Sequence, residues 1–166
     1  NNSWEGFTGN LFLSFALDLE SLPKDLKLES ASIYFSYLLK EVLNDLNSKV
    51  WLKWPNDFYV DDSKVGGMIT NLVDNSIICG VGINLLDSPQ GFKCLDISIS
   101  REVLLDKYFK LIEKKISWKQ IFSIYKIEFA RNQKHFTHNN NLKISLNDAV
   151  LENDGSITVN GESIYS

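Results

Sequence analysis

Residues 53–84 form the stretch that decides the fold, and they read KWPNDFYVDDSKVGGMITNLVDNSIICGVGIN. Three short apolar runs are separated there by Asp, Asn and Ser residues at 61–63 and 74–76. Runs of this length between turn-forming residues predict consecutive β-strands joined by tight turns. The stretch also holds a Trp-Pro-Asn-Asp corner, a lysine before paired glycines, and a Gly-Val-Gly-Ile-Asn end, which a plain buried strand would not need. It is therefore both the centre of the predicted sheet and the first place to search for a site.

The segments on either side supply another strand and the helices. Residues 10–17 are largely apolar and predict a buried strand. Residues 30–48 carry apolar side chains at spacings of three, four and seven, with charged and amide residues between them, which predicts an amphipathic helix packed on the sheet. A second helical pattern covers 101–115, and residues 117–120 (SWKQ) match a capping box that begins a third helix. All three helices are predicted to be scaffold.

The C-terminal part is predicted to be a polar linker followed by β-structure. Residues 134–141 (KHFTHNNN) are polar, and His135 and His138 have no Cys, Asp or Glu beside them, so we interpret both as exposed loop histidines rather than metal ligands. Residues 142–166 contain short alternating runs broken by turn pairs such as Asn-Gly, which predict β-hairpins. Because this tail is too small for a core of its own, we expect it to dock on the main domain.

Length and composition limit the classes to which the protein can belong. The 166 residues suit one globular domain, residues 1–134, with a small C-terminal β domain, residues 135–166. A net charge of −4 and scattered basic residues argue against nucleic acid as a partner, and no apolar run reaches the roughly 18 residues of a membrane span. Cys79 and Cys94 lie in apolar surroundings, which predicts buried, reduced thiols and a cytoplasmic protein. Because the chain begins at Asn1 without a methionine, we expect further sequence upstream.

The corner after the first of the three runs fixes two polar side chains. Lys53 lies on the strand face opposite Trp54, and Pro55 ends the strand because proline has no backbone N–H to donate. Asn56 and Asp57 therefore emerge at a defined position where strand pairing stops. An Asn-Asp pair after proline is also a common turn, so the corner by itself does not identify a site.

The lysine and the paired glycines of the next run point to a ligand. Lys64 alone would be an ordinary hairpin lysine. Gly66 and Gly67 change that interpretation, because glycines inside a strand cost stability and mark a bulge or the close approach of another molecule. A lysine two residues from such a gap reaches whatever fills it.

The third run has one apolar face and one face of nearly bare backbone. Gly80, Gly82 and Asn84 alternate with apolar residues, so they share a face that suits a flat ligand; close packing of a helix is the alternative. A regular two-residue turn at 74–75 without a bulge would place Lys64 on the opposite face from Asn84. The site hypothesis therefore requires a three-residue turn or a bulge near residues 66–67.

Three motifs in this order and spacing resemble the catalytic domain of biotin protein ligases. They are KWPND at Lys53–Asp57, KVGGMI at Lys64–Ile69 and GVGINL at Gly80–Leu85. Trp4 and the Gly-Asn-Leu run at 9–11 also resemble the family, and the C-terminal β tail resembles a shortened SH3-like domain. The resemblance implies an α+β fold, with a mixed, mostly antiparallel sheet backed by helices as in class II synthetases and biotin ligases.

The resemblance also implies a two-step reaction. Biotin and ATP give biotinyl-5′-AMP and pyrophosphate, and a lysine of a biotin carboxyl carrier protein, from acetyl-CoA carboxylase or a related carboxylase, then takes the biotin. Lys64 corresponds to the catalytic lysine. Lys53, Asn56 and Asp57 would bind the phosphates, with Asp57 on Mg²⁺.

The remaining implied contacts concern the adenylate and biotin. Trp4 would stack on adenine and Asn84 would hydrogen-bond its edge. Gly66, Gly67, Gly80 and Gly82 would let the backbone touch the ligand. The family's Gly/Arg-rich loop, which precedes the position of Trp4, and the DNA-binding helix-turn-helix of its larger members are not in this sequence.

Two other functions and a homodimer remain open from the sequence. The first alternative is a lipoate or octanoate ligase or transferase of the same superfamily. The second is a biotin- or nucleotide-binding module without catalysis. A homodimer is compatible with the resemblance.

Overall fold

The computed structural model describes residues 7–139 and 142–165. In chain order the elements are β1 (Leu11–Asp18), α1 (Ala31–Asp45), β2 (Trp51–Lys53), β3 (Asp57–Val60), β4 (Ser63–Val73), β5 (Ser76–Ile83), α2 (Arg101–Glu113), α3 (Trp118–Glu128), β6 (Phe136–Asn139), β7 (Leu142–Ser145), β8 (Val150–Leu151), β9 (Ile157–Val159) and β10 (Glu162–Ile164). Short 3-10 helices span Leu19–Ser21, Leu28–Ser30 and Phe129–Lys134.

The main sheet has five strands in the order β1-β5-β4-β3-β2. Its four described pairings are all antiparallel, because β2 to β5 follow one another through tight turns and β1 joins β5 at the far edge. The C-terminal strands form a three-stranded sheet, β10-β9-β8, and a separate β6-β7 hairpin. The predicted α+β fold with a small C-terminal β segment is confirmed.

The core lies between one face of the sheet and helix α1. Leu52, Phe58 and Ile83 lie on the inward face of strands β2, β3 and β5 and are 0 to 2% exposed. Helix α1 is buried over most of its length because α2 and α3 cover its other side. Lys40, predicted between the apolar positions of an amphipathic helix, is consequently 4% exposed and pairs with Glu128 at 2.6 Å.

The β4-β5 hairpin is regular, and the irregularity that the site requires lies on the other side of β4. Val73 opposes Ser76 across a two-residue turn, so the three-residue turn that was one option is absent. Between β3 and β4, however, Phe58 opposes Gly66 whereas Tyr59 opposes Lys64, which leaves Val65 as an extra residue. The bulge is therefore one residue before the predicted glycines, and it turns Lys64 onto the face that Gly67 and Asp57 share.

The C-terminal part docks on the main domain, as predicted. The indole N–H of Trp118 donates to Asn153 O at 2.9 Å, and Ser30 Oγ donates to Asp154 O at 2.7 Å. The predicted β9-β10 turn at Asn160-Gly161 is present, with both residues at positive φ. The domain boundary at 134/135 remains a prediction.

Two predictions about individual segments are wrong. Residues 136–139 form strand β6 rather than part of a linker, because they pair with β7. His135 is not an exposed loop residue, since its side chain is 18% exposed and packs on Trp51 with ring centroids 4.9 Å apart.

Both thiols were predicted to be buried, and one of them is. Cys79 is buried, and its burial raises the thiol pKa to about 12, whereas Cys94 is only half-buried. Within the described part of the chain, no helix is long and apolar enough to cross a membrane.

Candidate active site

The corner between β2 and β3 positions the charged residues of the site. Strand β2 ends at Lys53, the chain turns through Trp54–Asn56, and Asp57 begins β3 directly opposite Lys53. The ladder to β4 continues into the turn, because the backbone N–H of Met68 donates to Asn56 O at 2.9 Å. Strands on both sides thereby hold the corner in place, which agrees with the defined position predicted from Pro55.

Asp57 lies between two lysines. Lys64 Nζ is 2.5 Å from Asp57 Oδ1, and Lys53 Nζ is 3.8 Å from Asp57 Oδ2. The side chains are 28% exposed for Lys64, 23% for Asp57 and 11% for Lys53, so Lys64 presents the most accessible charge of the three. The structure thus brings together three residues that the sequence analysis assigned to phosphate chemistry.

Lys53 is the buried member of this cluster. Burial lowers the pKa of its ammonium, the Asp57 carboxylate opposes that shift, and the Lys64 charge adds to it. The Lys53 ammonium also lies 5.3 Å from the centroid of the Tyr59 ring. Burial, with a smaller effect of Asp57, raises the pKa of Tyr59 to about 12, so Tyr59 is neutral at physiological pH.

The glycines on the same face of the sheet line an open cleft beside the charged cluster. Gly67 pairs with Asp57 on one side and with Gly82 on the other, which makes the cleft and the cluster neighbours. The cleft has a volume of about 290 Å³. Its lining comes from β1, β4 and β5 and includes Gly67, Gly80, Gly82, Phe12 and Ser14.

Gly66 does not belong to this cleft, contrary to the expected ligand contact. It faces the core side of β4, opposite Phe58 and Ile83. A Cβ at Gly66 would lie 2.5 Å from Gly82 O and 3.2 Å from Ile83 Cα. The glycine is therefore required by the close approach of two backbones within the protein.

Asn84 is also placed differently from the expectation. It is 2% exposed, its Nδ2 donates to Lys93 O at 3.3 Å, and its Oδ1 accepts from Asn10 Nδ2 at 3.4 Å. Both ends of the amide are thus turned toward the protein rather than toward an open ligand edge. Its role in this arrangement is to hold the loop that follows β5.

The loop after β5 is held by a residue to which the sequence analysis assigned no role. Asn10 Oδ1 accepts the backbone N–H groups of Leu85, Leu86 and Asp87 at 3.0 to 3.2 Å. Asn10 Nδ2 donates to Asp87 O at 2.7 Å. The loop then returns over β4, where the Lys93 N–H donates to Lys64 O at 3.1 Å. The sequence signal for this anchor is an asparagine at the start of a strand, in the Gly-Asn-Leu run at 9–11 that resembles the family.

Comparison with protein families identifies the family of this chain. The model of the biotin/lipoate A/B protein ligase family matches residues 1–86, which is more than half of the 166 residues. This chain belongs to the biotin/lipoate A/B protein ligase family. The resemblance drawn from the three motifs is thereby confirmed.

Individual relatives within the family are biotin ligases. The chain is 35% identical over 85 residues to the bifunctional ligase/repressor BirA of Escherichia coli, covering 48% of this chain and 26% of that protein. It is 31% identical over 135 residues to the chloroplastic biotin–protein ligase 1 of Arabidopsis thaliana, covering 68% of this chain and 35% of that protein. The chain therefore spans about a quarter to a third of the length of these relatives.

Solved structures of the family share the fold. Biotin acetyl coenzyme A carboxylase synthetase from Helicobacter pylori, with bound biotinylated ATP, has a TM-score of 0.94 and 38% identity, covering 99% of this chain and 78% of that one. The biotin protein ligase from Aquifex aeolicus has a TM-score of 0.75 over 98% of this chain and 78% of that one. At 21% identity, that second likeness concerns the fold alone.

Trp4, the residue expected to stack on adenine, lies outside the described residues.

His135 borders the charged cluster of Lys53, Asp57 and Lys64, and the sequence analysis gave it no part there. Its ring packs on Trp51 and, at 5.9 Å, on Tyr59, which is the ring beneath Lys53. Nothing in the polar run 134–141 signals this contact, because it depends on the C-terminal segment returning to the edge of the main sheet.

Proposed function

We propose that this protein is an ATP-dependent biotin protein ligase. It forms biotinyl-5′-AMP and then transfers the biotin to a lysine of a biotin carboxyl carrier protein domain. The observation that carries the proposal is the position of Lys64 and Asp57 beside the glycine-lined cleft on one face of the sheet. The Helicobacter pylori structure, whose bound molecule joins biotin to a nucleotide, supports this choice within the family.

In the first step Lys64 is the catalytic residue. An oxygen of the biotin carboxylate attacks the α-phosphorus of ATP, the bond to the pyrophosphate oxygen breaks, and pyrophosphate leaves. Carboxylate and phosphate repel each other, and the Lys64 ammonium offsets that repulsion and stabilises the charge on the five-coordinate phosphorus. A compact ammonium suits a place where two anions must approach together.

Asp57 and Asn56 form the phosphate corner with Lys53. Among the described residues, no group of three or more His, Cys, Asp or Glu side chains is arranged to hold a metal. The single carboxylate of Asp57 fits Mg²⁺ that is held mainly by nucleotide phosphates, and its Oδ2 is 3.8 Å from Lys53, which is too long for a hydrogen bond and leaves its lone pairs available. Bound Mg²⁺ would neutralise phosphate charge there.

Biotin and the adenylate lie along the glycine face. Gly67, Gly80 and Gly82 leave the backbone open to a flat ligand. Phe12, 44% exposed, supplies an apolar wall at the rim. Trp4 retains its proposed stacking on adenine, whereas Asn84 acts through the loop that it anchors.

In the second step the ε-amino group of the acceptor lysine attacks the carbonyl carbon of the mixed anhydride. An amide forms, the amine loses a proton, and AMP leaves. The acceptor is the carrier domain of acetyl-CoA carboxylase or a related carboxylase. Exclusion of water by the ligand that fills the cleft would protect the anhydride between the two steps.

The test uses the intact protein with MgATP and either biotin or lipoate. Biotin-dependent pyrophosphate release, followed by a mass increase of a carrier domain through an amide at its lysine, is the expected result. Release that depends on lipoate and not on biotin would assign the chain to the lipoate branch of the family. Ligand binding in calorimetry without pyrophosphate release would make it a binding module instead.

A further inference from the structure

The side chain of Asn132 binds the outer edge of strand β2. The backbone N–H of Trp54 donates to Asn132 Oδ1 at 2.7 Å, and Asn132 Nδ2 donates to Leu52 O at 3.5 Å. The amide therefore pairs with the edge strand as a further strand would, one residue on each side of Lys53. Asn132 is 0% exposed, so no water competes for these bonds.

A second contact holds the same corner through its indole ring. Trp54 is 2% exposed, and its Nε1–H donates to Gly155 O at 2.8 Å. Gly155 has φ +86°, and a Cβ there would lie 2.7 Å from Ile33 Cδ1, so the turn that presents this carbonyl is packed tightly against helix α1. Trp54 is thus fixed at its backbone and at its side chain by residues that follow α3.

We propose that Asn132 is a positioning residue, which, together with Gly155 acting through the Trp54 indole, sets the geometry of the corner that carries Lys53 and Asp57. The inference rests on the proposed function for its meaning in catalysis. Both residues lie outside the stretch 1–86 that matches the family model. The segment after α3 is then a working part of the site and not an appendage.

The spacing along the chain explains how the contact acts at a distance. Trp54 is three residues before Asp57, and Pro55 between them has little backbone freedom. A change in the pairing of Trp54 therefore moves Asp57 relative to Lys64, where the present separation is 2.5 Å. A displacement of about 1 Å at a reacting group lowers rates by as much as about a hundredfold.

A purely structural role predicts something different. A buried amide that only satisfies backbone groups would, when removed, lower the stability of the whole protein and the fraction that is active. It would not change the KM for one substrate alone. The test therefore compares substrates and uses control variants that remove equivalent bonds elsewhere.

Two pairs of variants in the intact protein provide the comparison. Asn132→Ala is matched by Tyr108→Phe, since Tyr108 is 0% exposed and its hydroxyl donates one bond, to Phe35 O at 3.0 Å. Trp54→Phe is matched by Tyr34→Phe, since Tyr34 is 1% exposed and its hydroxyl donates one bond, to Ile116 O at 2.8 Å. Neither control bond involves the corner residues or the 153–155 turn.

Steady-state kinetics and NMR give independent readouts. Asn132→Ala and Trp54→Phe are expected to lower kcat/KM for MgATP by about tenfold or more with little change in KM for biotin, while the controls stay within about twofold. The ¹³C signal of the Asp57 carboxylate is expected to shift in the first two variants and to stay in place in the controls. Thermal melts confirm that all four variants are folded at the assay temperature.

The outcomes separate this inference from the proposed function. Equal, stability-linked losses in all four variants, or an Asp57 signal that does not move in Asn132→Ala, would overturn the positioning role. Absence of biotin-dependent turnover in the parent protein would instead overturn the proposed function. The Asp57 signal would still decide whether Asn132 sets the corner.

Discussion

Replacing Gly66 by alanine tests whether two kinds of glycine are present in the site. The added Cβ would lie 2.5 Å from Gly82 O, which is about 0.9 Å inside the 3.4 Å of an ordinary contact, and 3.2 Å from Ile83 Cα. Both neighbours are backbone atoms of a central strand, so neither moves without opening the β4-β5 ladder. We expect a loss of about 2 kcal/mol in the free energy of unfolding, the middle of the range for overpacked cores.

Gly80→Ala is the matched variant on the other face of the sheet. Its Cβ would meet Ile69 Cγ1 at 3.2 Å and Ser14 Oγ at 3.8 Å. The Ile69 side chain is 59% exposed and turns aside easily, so stability should change by less than about 1 kcal/mol. Because Gly80 lines the cleft, the methyl group should instead raise the KM for biotin.

Thermal unfolding and substrate titration distinguish the two variants. For a chain of this length, about 2 kcal/mol corresponds to a fall in Tm of about 4–8 °C for Gly66→Ala. A Gly66→Ala protein with unchanged Tm, or a Gly80→Ala protein that loses stability but keeps its KM for biotin, would refute the division between a packing glycine and a cleft glycine.

Three further predictions concern stability. Lys40→Met should lower the free energy of unfolding, measured by chemical denaturation, by about 3 kcal/mol because it leaves the Glu128 carboxylate without its 2.6 Å partner. Adding Glu128→Met should restore much of that loss. No recovery in the double variant would argue against the ion pair as the cause. Ser117→Ala should cost about 1 kcal/mol because the capping box with Gln120 is lost, and an unchanged denaturation midpoint would contradict the cap's role. Burial lowers the pKa of His135 below 6.5, so as the pH drops the unfolded chain binds the proton first, and stability falls from pH 6.5 toward the folded pKa. His135→Phe should therefore flatten the dependence of Tm on pH between 5 and 7. Identical curves for the two proteins would contradict this role of His135.

The sequence was sufficient to predict the elements whose signals are local. The alternation of apolar residues and glycines in β5, the turn pair at 74–75 and the capping box at 117–120 depend on neighbours a few residues apart, and all three are present. The resemblance to biotin protein ligases also implied that Lys64 and Asp57 belong to one site. A parity argument on one hairpin identified the need for an irregular strand, and the bulge at Val65 supplies it.

The remaining features depend on contacts between distant segments. Lys40 is buried because two other helices cover α1, and a helical pattern shows only that one face is apolar. Gly66 was assigned to ligand contact together with Gly67 because the sequence left the type of turn at 74–76 open; in the regular β4-β5 hairpin it opposes Ile83 on the core face. His135 packs on Trp51 because the C-terminal segment returns to the sheet edge. Asn84 is buried because the loop after it folds back over β4.

Formation of biotinyl-5′-AMP by the Lys64→Ala variant of the intact protein tests the central claim most directly. Lys110→Ala is the control, since Lys110 is an exposed lysine whose partner is Asp106 on α2. Single-turnover assays with biotin and MgATP should show a fall of about 100- to 1000-fold for Lys64→Ala, with the fold retained and Lys110→Ala unaffected. Near-normal adenylate formation by folded Lys64→Ala would contradict the assignment of Lys64 as the residue that stabilises the reacting phosphate.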